Sequence, residues 1–365
     1  MNIGLLVNFQ WYPLKGGGTV HIYQIVRQLV QRGHTVHSIF YYAEAPDVKV
    51  YRQRELFQFL KNIDLLYIRI DGKFNVEKFT CLKLLKAMKL PVIWEINAPI
   101  EEMLMRGKSP QEVQRWSFQR KFLARWVDAA ICVSREMQDY AQKNLGIKKV
   151  YYVPNGSDTE LFFPQKRDAN LYGQADGHFK VIWAGSSYYA WQGWEIVLQV
   201  ARKIQTVDPK VKFILITRTR DLKSKEGIPE NIQILEEKNY FELPAYLASA
   251  DAGLCLYKPL THNNRFYFSP LKLFDYMACG LPVIATNSGQ ISEVVTDNEN
   301  GLLVENGIDE IIEKILFLKS QSAQAQKIGR EARRTIENYY NWDRVVRETE
   351  QVMLDLKKDR SWKAG

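Results

Sequence analysis

The sequence predicts an α/β protein of two doubly wound domains, over residues 1–165 and 166–340, with a terminal helix over 341–365 packing back toward the first domain. Three observations carry this. The chain has 365 residues, too long for one compact core. Strand-like and helix-like runs alternate in both halves, the mark of a parallel sheet covered on both faces. Between the halves, "PNGSDTELFFPQKRDANLYGQADGH" is turn-rich with weak periodicity and reads as a linker.

In the front half, "NIGLLVNF" is a buried strand. "GGGTVHIYQIVRQLVQRG" is a glycine loop leading into a helix, with Ile22, Ile25, Val26, Leu29 and Val30 on one face and Gly33 at its end. "HTVHSIFYY", "DLLYIRI", "PVIWEIN", "DAAICVS" and "VYYVPNG" are further strands. The back half repeats the alternation: strand "FKVIWAG", helix "WEIVLQVARKIQ", strand "VKFILIT", then "NIQILEE", "DAGLCLY", "LPVIAT" and "GLLV". "NWDRVVRETEQVMLDLKK" closes the chain as an amphipathic helix. Each half is thus Rossmann-like. Two such domains facing each other place a cleft between two sets of strand carboxyl ends, where doubly wound sheets bind ligands.

Composition narrows the class. No run of about eighteen apolar residues occurs, so no transmembrane helix is expected. "MNIGLLVNF" lacks a basic leader and reads as a strand rather than a signal peptide. Cys81, Cys132, Cys255 and Cys279 are scattered, without metal spacing, which fits free thiols in a reducing cytosol. Residues 1–165 hold 23 Lys+Arg against 15 Asp+Glu, whereas residues 166–365 hold 27 against 26. The front half therefore calls for an anionic partner: lipid head groups, an anionic acceptor or nucleic acid.

The stretch "YFSPLKLFDYMACGLPVIA", Tyr267–Ala285, carries the most chemistry. Ser269 is suited to cap a helix with Pro270 at its first position. The amides of Leu271 and Lys272 would then lack intrahelical partners and form an anion site. Asp275 would lie roughly 7–8 Å further along, at about 1.5 Å per residue. That matches the span from a distal phosphate to the ribose of a nucleoside diphosphate. The alternative is a capped core helix bearing a solvated acid.

The segment "SPLKLFDYMACGLPVIATNSGQISEVVTDNENGLLV" resembles the nucleotide-sugar segment of the retaining glycosyltransferases of family 4, which have the GT-B fold. "GGGTVHIYQIVRQLVQRGHTV", "DAAICVSREMQDYAQKNLGIKKVYYVPNGSDTELFFP", "AGSSYYAWQGWEIVLQVA" and "YNWDRVVRETEQV" fit the same family in the same order, so the resemblance covers nearly the whole chain. It implies that Asp275 holds the donor ribose and that Leu271 and Lys272 meet the diphosphate. It also implies that Gly16, Gly17 and Gly18 approach the donor phosphates from the other domain. On their own, three glycines equally suit a bare turn.

The sequence departs from the family in places. Where the family has two glutamates eight apart, this chain has Tyr267 and Asp275. Tyr267 and Phe268 are therefore the candidates to touch the donor sugar. The Arg and Lys that grip the diphosphate fall at Ser186 and Gln192, leaving Lys272 and Arg265 as candidate cations or as plain surface charges. A pocket His of many members falls near Asn97. Asn97 and Glu95, at a strand end, are expected to line the sugar pocket, with His21 near the acceptor; Glu95 and His21 would serve as well in structural roles. His34, at a helix-to-strand turn, reads as structural. Tyr188, Tyr189, Trp191 and Trp194 either stack on a sugar or base or pack the loop around "WQG".

No Asp-x-Asp occurs, so a metal-bridged nucleotide site is not expected, and no cofactor is implied beyond the nucleotide-sugar substrate. Amides, helix dipole and basic side chains would stabilise the leaving diphosphate instead. The resemblance implies retention at the anomeric carbon; no carboxylate pair is obviously placed for double displacement, so front-side attack is the path expected. Arg106–Trp126 holds six basic residues and one acid, Glu112, interleaved with aromatics. That fits a membrane-surface helix, with Arg115, Trp116, Arg120 and Lys121 as its membrane or acceptor face, or a core helix with a charged side. The leading reading is a metal-independent hexosyltransferase in polysaccharide biosynthesis, cytoplasmic or peripheral on the inner face of the plasma membrane. It would act on a cell-envelope glycan or lipid-linked acceptor. A catalytically weak nucleotide-sugar-binding protein and another GT-B enzyme, such as a nucleotide-sugar epimerase, are the alternatives. A nucleic-acid binder leaves "GGG", "WQG" and "SPLK" without a role.

Overall fold

The computed structural model describes residues 1–7, 14, 16–39, 48–70, 88–168, 170–172, 177–222, 227–258 and 265–363. Cys81 and the ends of the strands expected at "NIGLLVNF" and "HTVHSIFYY" lie outside them. The chain forms two compact units. The first comprises Met1–Asn155, Tyr267–Ser269 and Trp342–Gly365, and the second Gly156–Phe266 and Pro270–Asn341.

The sheet of the first unit has seven parallel strands in the order β3-β2-β1-β4-β5-β6-β7. These are β1 Asn2–Leu6, β2 Thr35–Ile39, β3 Val48–Tyr51, β4 Leu65–Ile70, β5 Val92–Ile96, β6 Ala129–Cys132 and β7 Val150–Tyr152. The order reverses direction between β1 and β4, which marks the ligand-binding end of a doubly wound sheet. β4 and β5 are buried along their whole length and are mostly apolar, as central parallel strands are, with Arg69 and Glu95 as the charged exceptions. β3 was not legible in the sequence, because it is a short, half-exposed edge strand. The helix Gly17–Gln31 buries Ile22, Ile25, Val26 and Leu29, while Val30 is half-buried. It ends where Gly33 takes a φ of 83° and the His34 amide returns to the Leu29 carbonyl. The helix Trp342–Lys363 packs against it, with Arg32 and His34 both reaching Glu350.

The sheet of the second unit has six parallel strands in the order β10-β9-β8-β11-β12-β13. They are β8 Phe179–Ala184, β9 Val211–Thr217, β10 Ile232–Glu236, β11 Ala252–Cys255, β12 Val283–Thr286 and β13 Leu302–Val304. The reversal lies between β8 and β11. Val181, Trp183, Phe213, Leu215, Leu254 and Ile284 lie in its main core cluster.

The division between units falls at Asn155–Gly156 rather than at 165. Gly156 already belongs to the second unit, because its backbone lies so close to Tyr340 that a Cβ would come within 2.7 Å of the Tyr340 carbonyl oxygen.

Candidate functional site

In the second unit, the helix Leu271–Ala278 starts beside the reversal point of the sheet. The structure corrects its expected cap. Pro270, not Ser269, is the N-cap residue and no side chain caps the helix. The Ser269 hydroxyl is instead taken by the Asn155 amide at 2.9 Å, while the Asn155 side chain donates to the Ser269 carbonyl at 2.6 Å. The first intrahelical bond runs from the Leu273 amide to the Pro270 carbonyl, so the Leu271 and Lys272 amides precede the ladder, as an anion site requires. The sharp end of the helix is a Schellman closure at Gly280, with φ 68°.

Lys272 is half-buried, yet its ammonium lies over the Trp183 ring at 4.5 Å and the Tyr257 ring at 5.2 Å, from β8 and the turn after β11. Burial lowers its pKa to about 8. It has no carboxylate partner among the described residues; its one polar neighbour is Gln192 Oε1 at 3.4 Å. That oxygen also accepts from the Ser186 amide at 3.0 Å. Gly185 leaves the room for this grouping, since a Cβ there would meet Lys272 Nζ at 2.7 Å. Ser186 and Gln192, the two neutral replacements, thus gather around the cation that remains.

Asp275 is 6 % exposed, and Ser157 donates to its Oδ1 at 2.6 Å. Burial pushes its carboxyl up to about 7; the Ser157 hydrogen bond offsets this only in part, and the Asp158 charge adds to it. Ser157 is a partner that sequence reasoning missed. Arg265 is exposed. Tyr189 packs on Trp191 at 4.3 Å and Trp194 on Trp183 at 5.5 Å, whereas Tyr188 is exposed.

In the first unit, Glu95, His21 and Asn97 come together. Glu95 is 1 % exposed at the end of β5. Arg69 on the paired strand donates to it at 3.0 Å, Asn97 also donates to it, and His21 Nε2 lies 2.6 Å away. Burial by itself would raise the Glu95 pKa; His21 and Arg69 outweigh it, and the carboxyl is held near 2. Asn155 Oδ1 meets His21 Nδ1 at 2.7 Å, and the His21 ring meets the edge of Trp342. Arg69 and Asn155 were missed. Arg69 had a visible signal, as the one basic residue in the otherwise largely apolar stretch "DLLYIRI".

Tyr267 and its neighbours to Ser269 group with the first unit. The Tyr267 ring is buried against Tyr140, and its carbonyl accepts from the Ser134 hydroxyl at 2.7 Å. Phe268 is half-buried. Of the three glycines, only Gly16 lies outside the helix, with φ 82°; Gly17 and Gly18 form its first turn, which corrects the expected three-residue loop. The Thr19 and Val20 amides both reach the Gly16 carbonyl, so those of Gly17 and Gly18 stand ahead of the helical ladder.

The basic helix spans Pro110–Leu123 and its expected outer face needs correction. Trp116 is buried beside Ile100 and Val113. Arg120 is 2 % exposed and donates to the Ala98 carbonyl at 3.1 Å, so it serves the core. Arg115 and Lys121 are exposed. Cys132, Cys255 and Cys279 are buried free thiols. Among the described residues no group of three His, Cys, Asp or Glu could hold a metal, and no helix is long and apolar enough to cross a membrane.

A family model described as "Glycosyltransferase Family 4" matches residues 15–161, and one described as "Glycosyl transferases group 1" matches residues 178–321. Among curated relatives, N-acetyl-alpha-D-glucosaminyl L-malate synthase of Bacillus anthracis is 22 % identical over 97 % of this chain and 98 % of its own length. MMP alpha-(1->4)-mannosyltransferase of Mycolicibacterium hassiacum is 25 % identical over 73 % of this chain and 65 % of its own. Among solved structures, sucrose-phosphate synthase from Thermosynechococcus elongatus superimposes with a TM-score of 0.76 at 15 % identity, covering 97 % of this chain and 98 % of that one. Anabaena HepE in complex with UDP and glucose follows with a TM-score of 0.73 at 16 % identity, covering 97 % and 100 %. Two Rossmann-like parallel sheets in the GT-B manner, and family models over both halves, lead to one conclusion: the chain belongs to the family 4 glycosyltransferases.

Proposed function

We propose that this glycosyltransferase moves a hexosyl group from a nucleotide-diphosphate donor to a cell-envelope glycan or lipid-linked acceptor, with retention and without a divalent metal. The observation that carries the reading is Lys272. An ammonium set over two rings, without a carboxylate partner among the described residues and carried by the residue at a helix start with two amides ahead of the ladder, is a site made to neutralise a diphosphate. It supplies the charge that Ser186 and Gln192 lack. HepE is solved with UDP-glucose, a donor of this kind.

In this reading the Leu271 and Lys272 amides take the diphosphate and Asp275 accepts from a ribose hydroxyl, Ser157 steadying its other oxygen. The bond from the sugar's anomeric carbon to the phosphate oxygen breaks, and a bond to the acceptor oxygen forms on the same face. The acceptor's proton passes to the leaving phosphate. Glu95, closed off by Arg69, Asn97 and His21, is held as a buried anion that positions His21 and is not a nucleophile. Gly16, Gly17 and Gly18 offer a second set of helix-tip donors, in the first unit. Tyr267, packed on Tyr140, favours a second reading, a weakly catalytic nucleotide-sugar binder, because it does not replace the carboxylate the family has at its place.

The test is donor hydrolysis by the purified protein over a panel of nucleotide sugars in the presence of chelator, with the released sugar's first anomer followed by NMR. Slow release with retained configuration is expected. Binding without hydrolysis would favour the second reading. Inverted product, or activity lost to chelator and restored by manganese, would overturn the mechanism.

A further inference from the structure

The peptide between Ser269 and Pro270 stands immediately before the helix Leu271–Ala278, which no side chain caps. The ring of Pro270 locks its φ, here −76°, with ψ at 110°. The plane of that peptide therefore sets where the Leu271 amide points, with one free torsion between them, and the helix runs on from there to Lys272. Asn155 holds the plane. Its side-chain amide donates to the Ser269 carbonyl at 2.6 Å and its main-chain amide to the Ser269 hydroxyl at 2.9 Å. A carbonyl only accepts, so the NH2 end of the Asn155 side chain faces Ser269. Its Oδ1 then faces His21 Nδ1 at 2.7 Å, and that nitrogen is the donor. Two residues on, Ser157 donates to Asp275, and the Ser157 amide is itself taken by the Tyr340 carbonyl at 2.9 Å. Each of these bonds lies within one unit.

We propose that Asn155 is a positioning residue for diphosphate binding: it aims the first amides of the helix Leu271–Ala278, and His21 in turn orients Asn155. The role rests on the transferase reading, which gives those amides to the diphosphate and Asp275 to the ribose. One short stretch, Asn155–Ser157, then fixes both ends of the nucleotide-binding segment, Ser269 through Asn155 and Asp275 through Ser157, from 114 and 118 residues away. His21 acquires a task other than proton transfer. Its Nδ1 is given to Asn155 and its Nε2 lies 2.6 Å from Glu95 Oε1, so neither ring nitrogen is open to an acceptor substrate. Asn155→Asp keeps the shape of the side chain and the main-chain bond to the Ser269 hydroxyl. It sets a carboxylate oxygen against the Ser269 carbonyl, which turns an attraction into a repulsion at the one peptide that aims the helix.

The experiment is calorimetry of UDP, UMP, GDP and GMP on the full chain and on its Asn155→Asp and Asn231→Asp variants. Asn231 is also a buried amide, donating to the Ala201 carbonyl at 2.9 Å just before β10, so the same exchange there is a matched lesion away from the helix. For the nucleotide that the wild type binds, Asn155→Asp should weaken the diphosphate by about tenfold or more and the monophosphate by less than about threefold, since the monophosphate lacks the distal group that the amides hold. Asn231→Asp should lower the melting temperature and leave every affinity in place. An unchanged ratio of diphosphate to monophosphate affinity in folded Asn155→Asp overturns the proposal, and so does the same change of ratio in Asn231→Asp. Should Asn155→Asp not fold, Ser269→Ala decides the matter against Ser269→Thr. A loss of about threefold or more in diphosphate affinity, restored by the threonine hydroxyl, supports the role, and equal affinity in both variants overturns it. A wild type that binds none of the four nucleotides overturns the transferase reading and this role with it, whereas wild-type binding that Asn155→Asp leaves intact overturns the role alone.

Discussion

Glu95 in the first unit and Asp275 in the second are both buried carboxyls near a strand or helix end, and they titrate in opposite directions. Glu95 is surrounded by Arg69, Asn97 and His21 and is held near 2. Asp275 has one hydroxyl donor and a second acid, Asp158, nearby, and is pushed up to about 7. Burial acts alike on both; the neighbours decide which form is kept. Glu95 is a settled anion, its Oε1 held by Arg69, Asn97 and His21. Asp275 is an unsettled one, and a ligand that donates hydrogen bonds would complete it.

The largest effect should come from breaking the settled site. Glu95→Ala leaves Arg69 buried without its anion, and should cost about 3–5 kcal/mol in denaturant unfolding. A loss below about 1 kcal/mol would mean that the cluster is not the buried ion system described. Next comes pH. The Asp275 pKa is raised on folding, so its contribution to stability is full below about pH 4 and declines as pH rises toward 7, on the order of 4 kcal/mol in all. Glu95, with a lowered pKa, contributes above about pH 4.5, and that contribution is lost as pH falls toward 2. Asp275→Asn should therefore flatten the upper slope, gaining stability at pH 8, while weakening nucleotide binding by about 1–3 kcal/mol in calorimetry. An unchanged slope would show that Asp275 is already ionised in the free protein. Lys272→Met should weaken UDP binding by about 1.5–3 kcal/mol, the range for a hydrogen bond to a charged group. The smallest effect is Ser157→Ala. Removing the hydroxyl should cost about 1 kcal/mol of stability at pH 8 and carry the upper slope to higher pH.

Local signals in the sequence were sufficient where the structure depends on local geometry. Gly280 ends its helix and Gly33 ends another through positive φ, and Lys272 follows the helix start directly. What failed depends on partners distant in the chain. Ser269 has the chemistry of a cap, but Asn155, 114 residues away, takes its hydroxyl. Glu95 meets Arg69 only because β4 and β5 pair in a register that sets those two residues side by side. The helix Pro110–Leu123 misled for another reason. With apolar residues on both faces, periodicity cannot say which one is the core, and Arg120, a residue type rarely buried, lies on the inner side.

The first unit is assembled from three separate stretches of chain, the last of them Trp342–Gly365. Trp342, Val345, Val346 and Met353 are buried in the finished protein, and Trp342 abuts His21. On a ribosome, where domains generally complete themselves from the amino terminus onward, this unit is begun first and finished last. Its residues up to Asn155 emerge early, yet the wall beside His21 arrives only after the whole second unit has been made. The histidine cluster is thus sealed only after the stretch Pro270–Asn341 of the second unit has been made.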